Sequence, residues 1–155
     1  MSTKIKKAKK EDIPNILKLV EKIVDYHCEI DKYYKPYKSY DKLEEHLEKT
    51  IKDKNQKIIV AEENSEIIGY FVVGIEKAAN YTVAKNIGII DSAFIKKEYR
   101  NKGIGQKLFG QALEYLKSRK IKHIELDVDA RNDLGINFWK ENKFFGFRIK
   151  MRRDL

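Results

Sequence analysis

Apolar and polar residues recur along this chain with two periods, one typical of strands and one of helices. Apolar residues at alternate positions, or in short β-branched runs, predict strands. The predicted strands are Ile5–Ala8, Lys57–Glu62, Ile67–Glu76, Ile87–Ile95, His123–Asp129 and Phe145–Arg152. Apolar residues three or four positions apart predict four helices. These begin near Asp12, Asp41, Ile104 and Asn132, and the first runs to about His27.

The resulting order of elements, βααβββαβαβ, is typical of an α/β domain. We expect a mixed, mostly antiparallel central sheet with flanking helices, in a single domain over residues 3–155. Local signals support two of the boundaries. Asp41 and Glu44 have the spacing of a capping box for the second helix, and the polar stretch 63–66 is typical of a hairpin connection.

The composition is that of a globular chain with a heavily charged surface. Hydrophobic residues make up 42% and charged residues 37% of the chain, the latter well above the usual quarter. The longest apolar run, Ile67–Ile75, is far shorter than the ~20 residues that span a bilayer, and no signal peptide is evident. A single cysteine, Cys28, excludes an internal disulfide. These features predict a cytoplasmic protein without a membrane partner.

Positive charge is concentrated in one segment of the sequence. Between Lys96 and Lys122 there are nine Lys or Arg residues against two acidic ones, in a chain of net charge +9. Such a field raises the local concentration of an anionic ligand. Nucleic acid is the competing anionic partner, because a basic surface is its electrostatic footprint too.

The basic segment contains a turn that is suited to binding a phosphate group. Arg100–Gly105, here called the glycine loop, follows a predicted strand and leads into a predicted helix. The free N–H groups of a helix N-terminus point outward, and the helix dipole adds roughly half a positive charge there. Gly103 and Gly105 remove side chains that would keep an anion away from the backbone.

Two common phosphate-binding classes do not fit the glycine loop. A P-loop would end in Gly-Lys-Ser or Gly-Lys-Thr, whereas this chain continues Gly105-Gln106-Lys107. A dinucleotide-binding fingerprint would need a third glycine, where this chain has Leu108.

What does fit is Arg100-x-x-Gly103-x-Gly105, together with a second motif one helix and one strand later. That motif reads Leu126-x-Val128-x-x-x-Asn132-x-x-Gly135-x-x-Phe138-Trp139. With both motifs in their expected structural context, the chain resembles the GNAT superfamily of N-acetyltransferases over essentially its whole length. The resemblance implies the acyl-CoA N-acyltransferase fold, acetyl-CoA as co-substrate and direct attack of a neutral amine on the thioester.

The resemblance also implies how acetyl-CoA would be bound. The pantetheine arm would pair with the backbone of the strand that ends at Ile95, the pyrophosphate would lie on the glycine loop, and a backbone N–H of that strand would hold the oxyanion. The residues implied are Ala93, Phe94, Ile95, Arg100, Asn101, Lys102, Gly103, Ile104, Gly105, Asn132 and Trp139.

Three positions depart from the family pattern. Trp139 stands where many members have the tyrosine that protonates the leaving thiolate, and an indole cannot act as that acid. Asp91-Ser92 replaces a Glu-Asp pair and leaves one carboxylate. Asp91 is therefore a candidate general base acting through a water or a site for a cationic acceptor; a strand-end carboxylate that caps a neighbouring N–H is the equal alternative. Lys143 replaces a glycine before Phe144.

The resemblance implies that the segment between the first two helices lines the acceptor site, so we expect the acceptor between Tyr26–Tyr40 and the open end of the strand that contains Asp91. The segment from Tyr26 to Tyr40 is rich in tyrosine and contains acidic residues, a combination that can hold an ammonium group. The implied acceptor is a small cationic molecule or a peptide amine, bound by Tyr26, Tyr33, Tyr34 and Asp91. Packing of a long connection onto the sheet explains any single tyrosine equally well.

Other classes of site find little support. His27, Cys28, His46 and His123 lack the spacing of metal ligands, so no metal is expected. The alternative function is a non-catalytic basic binding module, either a CoA sensor or a nucleic-acid binder, although nucleic acid is the less favoured partner. The sequence leaves homodimerisation open.

Overall fold

The structure, a computed structural model, describes residues 2–155. Its strands are β1 (Lys4–Lys7), β2 (Gln56–Glu63), β3 (Glu66–Lys77), β4 (Asn86–Ile95) and β5 (Ile124–Glu125). Its α-helices are α1 (Ile13–Ile30), α2 (Leu43–Lys52), α3 (Ile104–Ser118) and α4 (Asp133–Glu141). None of the helices in this part of the chain is long and apolar enough to cross a membrane.

The five strands form one sheet in the order β1-β2-β3-β4-β5. Neighbours from β1 to β4 are antiparallel, and β5 joins β4 in parallel. This confirms the predicted fold class of a mixed, mostly antiparallel sheet with flanking helices. The parallel step requires a crossover connection, which α3 supplies.

The helices cover both faces of the sheet, so the chain has two hydrophobic clusters. Leu108, Ala112 and Leu116 of α3 pack on one face together with Trp139 of α4. Residues of α1 and α2 pack on the other face. Because β3 is covered on both sides, it is buried almost continuously from Ile67 to Gly74, which explains why this strand appears in the sequence as an unbroken apolar run.

Two helix boundaries differ from the sequence-based expectation. Helix α1 continues to Ile30, one turn beyond His27. Helix α2 has no capping box: its N-cap residue is Lys42, in the left-handed conformation and without a side-chain hydrogen bond. A local motif such as Asp41 with Glu44 signals a helix start but does not fix which residue turns the chain.

The C-terminal part of the predicted sheet is also shorter than expected. The strand predicted at His123–Asp129 forms only two ladder positions, Ile124 and Glu125. The strand predicted at Phe145–Arg152 is not formed, and residues 145–155 make no backbone–backbone hydrogen bond. Alternation specifies which side chains share a face, but a ladder also needs a neighbouring strand, and β5 ends too early to provide one.

Candidate active site

The pairing of β4 with β5 ends before the residues predicted to pair with a pantetheine arm. The two strands are hydrogen-bonded only where Gly88 faces Ile124 and Ile89 faces Glu125. Beyond that point β4 continues to Ile95 while β5 has ended. On the side of β5, the edge of β4 at Ala93 and Phe94 therefore has no neighbouring strand within residues 2–155, and we call the space beside this edge the slot.

A β-bulge in β4 lies at the mouth of this slot. Ser92 faces Val72 and Ile90 faces Val73, so Asp91 is an extra residue without a partner on β3. The bulge shifts the alternation, with the result that Ile90 and Ala93 both face α3. Bulges re-aim side chains and are frequent next to active sites. The Asp91 side chain is exposed, and no N–H group among residues 2–155 donates a hydrogen bond to it.

Ser92 forms a partly buried contact that the sequence did not indicate. The hydroxyl groups of Tyr70 and Ser92 lie 2.8 Å apart, and they tie β3 to β4 next to the bulge. Burial raises the pKa of Tyr70 to about 12, although the hydrogen bond with Ser92 acts in the opposite direction. Tyr70 stands within a long apolar run, where only its hydroxyl distinguishes it from an ordinary core residue.

The glycine loop presents a row of free backbone donors. The first hydrogen bond of α3 runs from the N–H of Lys107 to the carbonyl of Gly103, at 3.1 Å. None of the six N–H groups from Asn101 to Gln106 donates to another backbone group in the described chain. Asn101 and Gly103 have φ values of 58° and 74°. A succession of left-handed and helical residues of this kind forms a concave nest for an anion.

The two glycines of the loop serve different purposes. A Cβ at Gly103 would meet no atom within 4 Å, so glycine is favoured there by the positive φ. A Cβ at Gly105 would lie 2.9 Å from Cε2 of Phe138 and 3.3 Å from Cδ1 of Ile95. Gly105 thus allows the first turn of α3 to pack closely on α4 and on the end of β4. That the two glycines open the backbone to an anion stays a prediction.

Positive charge around the loop is less dense than the sequence suggests. Lys102 lies 5.3 Å from the ring centroid of Tyr99, and Arg100 donates from Nε to the carbonyl of Ile95 at 2.9 Å. Arg119 lies at the other end of α3, about 22 Å away by helical rise, and binds the carbonyl of Lys54 at 2.7 Å. The basic cluster therefore divides between the two ends of α3.

Asn132 and Trp139 are more strongly tied into the fold than expected. Asn132 Oδ1 caps α4 by accepting from the N–H of Gly135 at 3.0 Å, and it also accepts from the hydroxyl of Tyr26 at 3.2 Å. Its amide NH₂ makes no hydrogen bond among residues 2–155. Trp139 is only 9% exposed. It packs in an aromatic cluster formed with Phe71, Phe109, Phe138 and Phe144.

Phe138, and not Trp139, is the member of the aromatic pair that contacts the glycine loop, at Gly105. The sequence motif names both residues without showing which one faces the loop. The helical register decides that question, because adjacent residues point in directions about 100° apart.

The predicted acceptor tyrosines join the end of α1 to the turn that precedes α4. We call this region, Tyr26–Tyr34 together with Asp129–Asn132, the tyrosine wall. The hydroxyl of Tyr34 donates to Asp129 at 3.0 Å, and Tyr26 bonds Asn132 as described above. Tyr33 is instead 68% exposed. The structure therefore brings Tyr26 and Tyr34 together with Asn132, and leaves Tyr33 at the surface.

Two carboxylates of the wall are already paired with arginines. Arg131 binds Asp129 at 2.8 Å and Asp31 at 3.1 Å, and Arg152 also binds Asp31 at 2.9 Å. Hydrogen bonds from Arg131 lower the pKa of Asp129 well below its usual range. The N–H of Tyr33 and the two arginines lower the pKa of Asp31. Residues from three distant segments make this network, so spacing in the sequence gave no signal of it.

His27 lies inside the tyrosine wall, with its ring centroid 5.3 Å from that of Tyr34. Burial lowers the pKa of His27, and the charge of Asp129 partly offsets this effect. Burial therefore favours the neutral form of this imidazole. Within residues 2–155, no three His, Cys, Asp or Glu side chains come together as metal ligands.

Known proteins resemble this chain in sequence and in fold. Residues 21–147 match the acetyltransferase (GNAT) family. An uncharacterised N-acetyltransferase of Methanocaldococcus jannaschii is 27% identical over 140 residues, which are 90% of this chain and 59% of that protein. The chain thus spans about three-fifths of the length of this curated relative.

Two solved structures illustrate the similarity of fold. A protein from Bacillus halodurans has a TM-score of 0.88 at 17% identity, with 98% of this chain and 99% of that one covered. An aminoglycoside acetyltransferase in complex with a bisubstrate analogue, CoA-S-monomethyl-acetylneamine, has a TM-score of 0.80 at 13% identity, with 100% of this chain and 99% of that one covered. At such identities the likeness concerns the fold alone.

Proposed function

The chain belongs to the acetyltransferase (GNAT) family, and from this premise we propose that it transfers the acetyl group of acetyl-CoA to a primary amine by direct attack. The observation that carries the proposal is the succession of a bulge, an open strand edge and an anion nest within Asp91–Gln106. One continuous stretch thus offers a place for the reacting group, for an extended arm and for a pyrophosphate.

The glycine loop would hold the pyrophosphate through its backbone. The free N–H groups from Asn101 to Gln106 can donate to phosphate oxygens, and no acidic residue stands in the first turn of α3 to oppose the charge. Arg100 and Lys102 add positive charge on either side. Backbone donors and a helix N-terminus are the usual means of binding phosphate groups.

The open edge of β4 would hold the pantetheine arm as an additional strand. The N–H and C=O groups of Ala93 face the free edge and can exchange hydrogen bonds with the amides of the arm. The carbonyl of Phe94 is instead directed toward Gly69 of β3, so Phe94 would support the arm by contact. The carbonyl of Ile95 is already engaged by Arg100, so the position of Ile95 would support the arm by contact. The NH₂ group of Asn132 can donate from the opposite side of the slot. For Trp139 we propose an indirect role, in which it supports Phe138 behind Gly105.

The thioester supplies the electrophilic carbonyl when acetyl-CoA is bound. An unpaired backbone N–H beside the bulge would stabilise negative charge on the carbonyl oxygen. The exposed carboxylate of Asp91 would accept the proton of the attacking amine through a water. Since Trp139 is an indole within the core, water would serve as the proton donor to the leaving thiolate, which is a weak base near neutral pH.

The acceptor would bind between the tyrosine wall and Asp91. Asp31 and Asp129 are neutralised by Arg131 and Arg152, so they offer little attraction to a cation. We propose that Asp91, whose carboxylate is exposed, is the acidic residue that meets the cation next to the reacting group. A small cationic molecule or a peptide amine fits this arrangement, and the acetyltransferase solved with an acetylneamine analogue has the same fold. We expect the reaction to take place in the cytoplasm.

The test combines binding with turnover. Calorimetry should show acetyl-CoA binding that weakens as salt is added, and thiol release should require both acetyl-CoA and an amine from a panel of polyamines, amino sugars and peptide N-termini. Binding of duplex DNA without binding of acetyl-CoA would contradict the proposal and favour a nucleic-acid module. Binding of acetyl-CoA without turnover of any amine would favour a CoA sensor.

A further inference from the structure

A pair of hydroxyl groups crosses the sheet next to the bulge. Tyr70 stands opposite Phe94 of β4, and Ser92 stands opposite Val72 of β3. The two side chains are therefore diagonal neighbours, at a separation that an aromatic side chain can bridge. Their hydroxyl oxygens lie 2.8 Å apart, so one hydrogen bond joins β3 to β4 directly after the extra residue, Asp91.

The stability of the core gives no reason for the hydroxyl of Tyr70. This residue carries the one polar side chain of the buried stretch Ile67–Gly74. Replacing both partners of a buried hydrogen bond by apolar groups of the same shape is nearly neutral, so phenylalanine would fill this place about as well. A buried phenol without a partner would be costly, and Ser92 is its one side-chain partner within residues 2–155. The pair therefore ties Tyr70 to one particular position of β4.

The bulge makes that position important for the free edge of β4. If Asp91 rather than Ser92 faced Val72, the strands would pair without a bulge, and every later side chain of β4 would turn to the other face. The N–H group of Ala93, which faces the free edge, would then turn toward β3. The hydroxyl pair favours the observed register, because it forms only when Ser92 lies on the same face of the sheet as Tyr70.

Tyr70 is suited to act here as a hydrogen-bond partner and not as an acid. Burial raises the pKa of Tyr70 to about 12 against the opposing effect of the hydrogen bond with Ser92, and the charge of Asp91 adds to the increase. The phenol therefore keeps its proton near neutral pH, and a leaving thiolate is too weak a base to remove it. A constant hydrogen bond remains as the contribution of this group.

We propose that Tyr70 and Ser92 are positioning residues of the acetyl transfer, because their hydrogen bond fixes the register of the bulge. That register turns the N–H of Ala93 toward the slot and leaves the carboxylate of Asp91 exposed. The inference rests on the proposed function, in which a backbone N–H beside the bulge stabilises the oxyanion. Such a donor is effective when it is held in place before the reaction, and a misplacement of about 1 Å can cost about 100-fold in rate.

The decisive experiment separates turnover from binding. Tyr70→Phe and Ser92→Ala should each lower kcat about 10- to 100-fold, while calorimetry shows an acetyl-CoA affinity within a few-fold of wild type, because the glycine loop is unchanged. Ser92→Thr keeps the hydroxyl and should retain kcat within a few-fold. The matched control is Tyr115→Phe, which removes a phenol hydrogen bond to the carbonyl of Lys54, 3.2 Å long, at the other end of α3. It should leave kcat unchanged.

The double variant Tyr70→Phe/Ser92→Ala tests whether the two hydroxyls act as one unit. Because both changes remove the same hydrogen bond, the double variant should lose no more kcat than the more severe single variant. Losses that multiply would show two independent roles and overturn the proposal. Wild-type kcat in a folded Tyr70→Phe protein overturns it as well, whether or not Ser92→Ala folds.

A further measurement does not depend on turnover. Hydrogen exchange followed by mass spectrometry should be about 2- to 10-fold faster in Tyr70→Phe than in wild type for peptides covering Asn86–Ile95, and unchanged for peptides covering Ile104–Ser118. Equal exchange in both proteins shows that the pair does not hold the bulge and overturns the proposal. A wild type that releases no thiol with any amine overturns the proposed function, and the catalytic role of the pair with it.

Discussion

The two halves of the proposed site are built from different parts of the polypeptide. The glycine loop offers backbone N–H groups from one continuous stretch. Within it, position 103 is the one where the backbone conformation favours glycine. The tyrosine wall is made of side chains from separate segments, held together by the contacts Tyr26–Asn132 and Tyr34–Asp129. One half thus depends on the path of the backbone, and the other on the identity of individual side chains.

This difference suggests how the two substrates are recognised. A backbone nest recognises any phosphate group in the same way, and it tolerates most side-chain changes. A wall of side chains can be altered one residue at a time, as an acceptor site requires when related enzymes act on different amines. Substitutions that separate the two halves should therefore affect the binding of acetyl-CoA or the use of the amine, but not both.

The largest effect is expected for Gly103→Val, which should weaken acetyl-CoA binding about 1,000-fold or more, equivalent to ~4 kcal/mol. Valine is strained at the positive φ of this residue, and relief of that strain would turn the donor N–H groups away from the nest. No atom lies within 4 Å of the added Cβ, so the variant should fold. Calorimetry measures the affinity, with circular dichroism as the check on folding.

The control for this variant is Gly110→Val, in the middle of α3, where an added Cβ also meets nothing within 4 Å. It should retain wild-type affinity and at least wild-type stability, because valine has a higher helix propensity than glycine. Unchanged affinity in a folded Gly103→Val protein would show that the nest is not the phosphate site.

A smaller effect is expected for Asp91→Asn, on turnover alone. If the carboxylate takes the proton of the amine, its loss should lower kcat/KM about 100-fold at pH 6, where few amines are neutral, and much less at pH 9. The affinity for acetyl-CoA should stay the same. Thiol release measured from pH 6 to pH 9 tests the prediction, and wild-type rates across that range would mean that Asp91 is structural.

The tyrosine wall should respond more weakly to Tyr34→Phe. This change removes the hydrogen bond to Asp129, which should cost about 0.5–1.5 kcal/mol of stability and raise KM for the amine a few-fold while acetyl-CoA affinity stays constant. Tyr33→Phe is the stability control, because Tyr33 is 68% exposed and its hydroxyl makes no hydrogen bond among the described residues. Equal free energies of unfolding for the two variants in urea would show that the hydrogen bond between Tyr34 and Asp129 does not stabilise the fold.

The part of the site that the sequence predicted is the part built from backbone. Periodicity predicted the fold class and placed the glycine loop between β4 and α3, because glycine, strand and helix signals are local. The bulge at Asp91 was not predicted, since an extra residue in a strand changes the register without changing the composition. The ion-pair network of Asp31, Arg131 and Asp129 could not be predicted either, because its members come together only in the folded chain.

The C-terminal residues also show that contacts between separate segments cannot be predicted from a local pattern. Alternation from Phe145 to Arg152 predicted a strand, whereas the structure leaves this segment unpaired beside a β5 of two residues. A β-ladder needs two strands, and the sequence of one strand does not specify whether a second strand lies beside it. For Trp139, the motif predicted a contact with the cofactor, whereas the structure places the indole in the core.

The smallest effect on turnover is expected for Trp139→Phe. Trp139 is 9% exposed and packs against four phenylalanine rings, so the smaller ring should leave a cavity and lower stability by about 1–3 kcal/mol. The indole cannot be the general acid, and Phe138, which contacts the position of Gly105, remains in place. We therefore expect kcat to stay within a few-fold of wild type below the melting transition. The loss of a true general acid would instead cost ~10²–10⁴ in rate. A decrease of several hundred-fold in kcat, in a variant that unfolds at a temperature well above that of the assay, would place position 139 in the chemistry and contradict its assignment to the core.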